Sequence, residues 1–199
     1  DDPRLAAALD NLAAADHLLG RIDEAEAEYR RALALREKTP GAPPADLAPT
    51  LHNLGALLID RKQYAEAEAF CKRAVASSLE ALGWLYVLQG KPADAEDILD
   101  RAAKLYEAAL GADHPHLARC SAKLGRAHLD QGEQAEAEAC CKRAVAILER
   151  SGADPAEFAA ALDDYAQAVR KAGRADEADQ LQARAREARK PAPPQAERP

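Results

Sequence analysis

The side chains with the most chemistry to offer in this chain are four cysteines, five histidines and several runs of alternating glutamate. Cys71, Cys120, Cys140 and Cys141 form no C-x-x-C pair and have no histidine at zinc-finger spacing, which argues against a structural zinc site. A vicinal redox pair at Cys140-Cys141 is the alternative to small, buried, packing thiols, and packing is the expectation. His114-Pro115-His116 brings two imidazoles together, but one H-x-H without carboxylates or thiols is a weak metal signature and reads as a solvated connector. In Glu24, Glu26, Glu28 and in Glu136, Glu138, successive carboxylates fall about 200° apart around a helix, so they make a solvated face and do not converge on an ion. There is no Gly-rich phosphate loop, nucleophile elbow or H-E-x-x-H. The expectation is therefore a protein that is not an enzyme, with no cofactor and no metal.

The elements that carry these residues follow from composition. Of 199 residues, 50 are Ala, 4% are aromatic and none is Met. A β-sandwich or barrel needs β-branched and aromatic residues, and a membrane span needs about 18 or more unbroken apolar residues. Both are excluded, leaving an all-helical chain with thin cores and no membrane partner. With 34 acidic against 27 basic residues and a net charge of −7, the chain lacks the cationic field of a nucleic-acid binder, so no nucleic-acid partner is expected. No secretory signal is visible, Asp1-Asp2-Pro3 reads as the interior of a longer chain, and a reducing cytoplasm is the expected location.

Sliding the chain against itself reveals a repeat. An offset of 42 carries Leu12 to Leu54, Ala25 to Ala67 and Ala32 to Ala74, and later Leu82-Gly83 to Leu124-Gly125 and Ala102 to Ala144. An offset of 41 then carries Gly132 to Gly173 and Ala144 to Ala185. Each unit predicts two helices joined by a short turn (Gly20-Arg21, Arg61-Lys62, Gly90-Lys91, Gly132-Glu133, Gly173-Arg174), with acidic residues opening the second helix. Connectors such as Gly111-Ala112-Asp113-His114-Pro115 and Gly152-Ala153-Asp154-Pro155 stop one helix with Gly and start the next with a cap and Pro. The expected repeats are approximately 1–40, 41–76, 77–110, 111–150 and 151–190, followed by a disordered Pro-rich tail over 191–199.

Leu82-Gly83, Tyr86, Ala95 and Ala102 resemble the tetratricopeptide repeat (TPR), and the 42-residue period with its Gly-Ala-Asp connectors resembles the kinesin light chain-like variety. The resemblance implies a right-handed α-α superhelix of about five helical hairpins, whose first helices line a concave groove for a protein or peptide partner. It places Asp10, Asn11, His17, His52, Asn53, Ile59, Glu80, Trp84, Val87, Lys123, Arg126, Gln167 and Arg170 along that groove. Trp84 is the expected apolar anchor, the alternative being a plug between hairpins. Cys71 and Cys141 align with Tyr29 on the inner face of the second helices.

One interval breaks the period. From Leu54 to Leu82 and from Ala74 to Ala102 the offset falls from 42 to 28, a deficit of 14 residues between Ala74 and Leu79. The expectation is a mobile connector missing from the sequence as read, with a true deletion that shortens or fuses two helices as the alternative. The function expected is a non-enzymatic interaction scaffold. The alternatives are a ligand-sensing regulatory module of a larger signalling or enzyme chain, and a self-associating array with an apolar patch at one end.

Overall fold

A computed structural model describes residues 3–39 and 43–190, so the 191–199 tail lies outside the described residues. Among the described residues there are nine α-helices: α1 (Pro3–Leu18), α2 (Ile22–Glu37), α3 (Ala48–Asp60), α4 (Tyr64–Leu88), α5 (Pro92–Leu110), α6 (Pro115–Gln131), α7 (Gln134–Ser151), α8 (Pro155–Lys171) and α9 (Ala175–Ala188). A short 3-10 helix, Pro44–Leu47, precedes α3. Successive helices pack on one another, giving the expected all-α, TPR-like solenoid.

Local chemistry sets the ends. The Asp154 carboxylate accepts the amide of Ala156 at 2.8 Å, and Pro155 fills the first turn of α8, where no amide partner is needed. The first helix of every hairpin closes with one motif. The amides of Arg21, Gln63, Lys91, Glu133 and Arg174 donate to the carbonyls of Asp16, Leu58, Tyr86, His128 and Val169, each five residues back. The residue before each donor is left-handed, which suits Gly20, Gly90, Gly132 and Gly173; only Lys62, at φ 60°, bears a side chain there.

Inside each hairpin the two backbones meet at small residues. A β-carbon at Gly55 would stand 2.9 Å from Cys71 Sγ, one at Gly83 2.5 Å from Leu99 Cγ, and one at Gly125 2.8 Å from Cys141 Sγ. The cysteines are thus packing residues, as expected: Cys141 is buried, and burial pushes its thiol up to about 12. Successive second helices are stapled by ion pairs in register: Glu37–Arg73, Glu107–Arg143 and Glu149–Arg184.

The break in the period is where the architecture departs from a regular solenoid. Helix α4 runs without interruption for 25 residues through Ala74–Leu79, a length of about 37 Å. The expected missing connector is therefore corrected: Val75-Ala76-Ser77-Ser78 contains no breaker, and the second helix of copy two fuses with the first helix of copy three. One helix now serves two hairpins, its first half against α3 and its second half against α5. The cores divide along it. Ala67, Phe70 and Ala74 join the core of α1–α3, whereas Ala76, Val87 and the partly buried Leu79 and Trp84 join that of α5–α9. The fourth ion-pair staple falls in register on Leu79 and Arg101, so the fusion removes it.

Candidate protein-interaction site

In several hairpins a carboxylate from the middle of one helix reaches the end of the helix that follows it, 26 residues on. Asp10 accepts from Arg36, Glu80 from the Tyr106 hydroxyl at 2.9 Å, and Asp163 from Arg189. This clasp closes the hairpin. It also occupies Asp10, which in addition accepts from the Thr50 hydroxyl at 2.9 Å.

Glu80 has the most demanding environment. Its side chain is fully buried in the middle of α4, and α6 supplies the compensation: Arg119 Nε donates at 3.0 Å and Lys123 Nζ at 2.7 Å, both to Oε1. A buried carboxylate is tolerable only when paired and hydrogen-bonded. The same contacts raise the Arg119 guanidinium against its own desolvation, and they push the Tyr106 phenol far above its ordinary range, where burial is the largest cause. Glu80 is thus corrected from groove residue to internal tether between α4 and α6. Val87 is likewise corrected, because it is 8% exposed and packs in the core.

Arg119 also donates to His116 Nδ1 at 2.8 Å. A guanidinium only donates, so Nδ1 accepts and the proton sits on Nε2. That Nε2 is buried without a partner, and the ring lies 5.3 Å from that of Tyr106 in a stack. Burial, helped by Arg119, His114, Arg73 and Lys123, pushes the His116 imidazole down to about 2, so it is neutral. The connector histidines are therefore structural. Arg119, His116 and Tyr106 escape a reading of groove positions; the 26-residue step from an acid to its partner is a sequence signal for Tyr106 alone.

Trp84 is half-buried, resting on the α5–α9 core with Lys123 Nζ 5.9 Å from its ring centre. Leu85 and Leu88, on the same side of α4, stay exposed at 46% and 67%. On α6 Arg126 is exposed beside Asp130, and it bears electrostatically on Asp164 of α8. Asp164 reaches water yet is enclosed enough that desolvation raises its carboxyl to about 6. Gln167 on α8 is exposed, while Arg170 pairs with Asp179 of α9.

The remaining expected residues belong to the other end. His17 bonds Asp60 at 2.9 Å, Asn53 engages the buried Tyr29, and Asn11, His52 and Ile59 are exposed. Among the described residues α1 meets α3, α4 meets α6 and α6 meets α8, but the backbones of α3 and α6 do not meet. Six of the thirteen positions lie on α1 and α3 and seven on α4, α6 and α8.

The tetratricopeptide repeat profile matches residues 4–80 and 75–150. BtubC (BKLC) from P. vanneervenii shares the fold, with 20% identity and a TM-score of 0.59 over 98% of this chain and 85% of that one. So do the kinesin light chain-type, nearly identical TPR-like repeats of Podosopora anserina, with 21% identity and a TM-score of 0.50 over 94% and 96%. No curated protein matches the chain in sequence. Among the described residues no helix is long and apolar enough to cross a membrane. With the profile spanning most of the repeats and the helical hairpins in place, the chain belongs to the tetratricopeptide repeat family.

Proposed function

We propose that this chain is a non-catalytic interaction scaffold that holds an extended peptide or a partner helix on the face formed by α4, α6 and α8. The observation that carries this reading is Trp84, a large amphipathic ring half-open to solvent with exposed Leu85 and Leu88 beside it. Apolar anchors of this kind dominate binding energy, and flanking polar groups set register. Arg126, Asp164 and Gln167 supply those polar groups, with both charge signs available to one ligand. Asn11, His52 and Ile59 form a separate surface on the α1–α3 end, so one short ligand engages one set only. The cavity lined by Arg36, Thr39, His116 and Arg119 has room for about one water (about 20 Å³), which gives no support to the regulatory-module reading at that place.

Selection of a displayed random-peptide library on the full chain tests the proposal. Peptides that bind the wild-type chain lose tenfold or more in affinity on Trp84→Ala and keep it on Ile59→Ala, with helicity unchanged in both. Equal binding to wild-type and Trp84→Ala contradicts the anchor.

A second reading has its own observation. Leu5, Leu12 and Leu19 are exposed at seven-residue spacing along and just past α1, whereas α9 turns Asp179, Arg184 and Glu187 outward. This end of the stack suits self-association, and a concentration-dependent dimer in sedimentation that Leu12→Glu abolishes is its signature.

A further inference from the structure

Where one hairpin meets the next, an acid of the second helix faces the following turn. Glu26 of α2 pairs with Arg61, and Glu138 of α7 pairs with Arg174. The same register places Glu96 of α5 against the turn after α6, but there the residues aligned with Arg61 and Arg174 are Gln131 and Glu133. Gln131 Nε2 donates to Glu96 Oε2 at 2.8 Å, and Glu133 adds a second carboxylate where the aligned residues are Arg21, Gln63, Lys91 and Arg174. Between the two carboxylates stands His128, which is 7% exposed, its Nδ1 2.7 Å from Glu133 Oε2. One ligand atom from each of Glu96, His128 and Glu133 lies within 4.8 Å of the others. The arginine that the chain supplies at two other junctions is thus replaced by a glutamine and a second acid, with an imidazole between the carboxylates.

We propose that Glu96, His128 and Glu133 bind a divalent first-row transition cation of the zinc type, which clamps α5 to the α6–α7 turn. One imidazole and two carboxylates form a three-ligand set suited to such ions and poorly suited to Mg²⁺ or Ca²⁺, which prefer oxygen alone. Ligand atoms around a tetrahedral zinc lie about 3.4 Å apart, so small side-chain rotations close the set and leave a fourth position for water. Gln131 orients the Glu96 carboxylate from behind, as outer partners of metal ligands do. The ion takes over the charge-neutralising role that Arg174 plays against Glu138.

Calorimetric titration of the chelator-treated full chain with ZnCl₂, with thermal unfolding of each form, tests this. The wild-type chain is expected to take up one zinc at this site, with an upward shift of its melting temperature. Glu133→Arg restores the arginine of the neighbouring junction, so it is expected to lose that zinc while melting no lower than the zinc-free wild type. Glu96→Gln, which keeps volume and polarity, is expected to weaken zinc binding at least tenfold. Absence of saturable zinc uptake by the wild type overturns the proposal. So does uptake undiminished in both variants, which would assign the metal to the thiols or to His114 and His116.

Discussion

The sulfur of Cys141 sits against the α-carbon of Gly125, so closely that a β-carbon there would stand 2.8 Å from Sγ and 3.2 Å from the carbonyl oxygen of Ala137. Two opposing effects act on Gly125→Ala. The helix gains about 1 kcal/mol from losing a glycine, and the contact costs about 1–3 kcal/mol through overpacking. The expected outcome is net destabilisation in the wild-type background, reduced by about 1 kcal/mol or more when Cys141→Ala makes room. Urea unfolding of the four chains of this double-mutant cycle measures the coupling, and strict additivity contradicts the contact.

This packing was legible in the sequence, because Gly55, Gly83 and Gly125 recur in register and Cys71, Leu99 and Cys141 recur opposite them. The turns were legible too, although Lys62 shows that a left-handed turn residue need not be glycine. Two features were not. A stretch with no breaker between two helices looks the same whether a connector is lost or the helices have fused, and only packing distinguishes them. The repeat frame alone points Glu80 to the groove; its burial follows from the clasp to Tyr106, at the position where Asp10 and Asp163 clasp their own second helices, and from the two cations that α6 adds.

Glu80 makes the second prediction. Its removal leaves Arg119 and Lys123 without their shared carboxylate, and breaking a buried pair costs about 3–5 kcal/mol. Both cations retain some contact with water, at 29% and 16% of their side chains, which points to the lower end of that range. Glu80→Ala is expected to lose about 3 kcal/mol in chemical denaturation. Tyr106→Phe, which deletes one hydrogen bond, is expected to lose about 1 kcal/mol. A loss below 1 kcal/mol for Glu80→Ala contradicts the tether.

The third prediction concerns acid. His116 falls from 6.5 to about 2 on folding, so between those values the unfolded chain carries a proton that the folded chain lacks. Stability due to His116 therefore declines as pH falls through this window, by up to about 1.4 kcal/mol per pH unit. Asp164 acts with the opposite sign: raised from 3.8 to about 6, it takes up its proton in the folded state first and adds stability as pH falls between those values. His116→Gln removes only the first contribution. Its stability is expected to depend less steeply on pH than that of the wild type between pH 6.5 and 4. Parallel profiles contradict a buried neutral imidazole.

The central structural claim is that α4 is one helix shared by two hairpins. Its ends are Gln63 and Gln89, both exposed and 26 residues apart. Spin labels attached through unnatural amino acids at these two positions report the distance directly by pulsed electron resonance. A continuous helix predicts a backbone separation of about 39 Å. An ordinary TPR arrangement, with antiparallel helices and a turn between them, would bring the two ends to about 10 Å, one helix-packing distance, and that result would contradict the account.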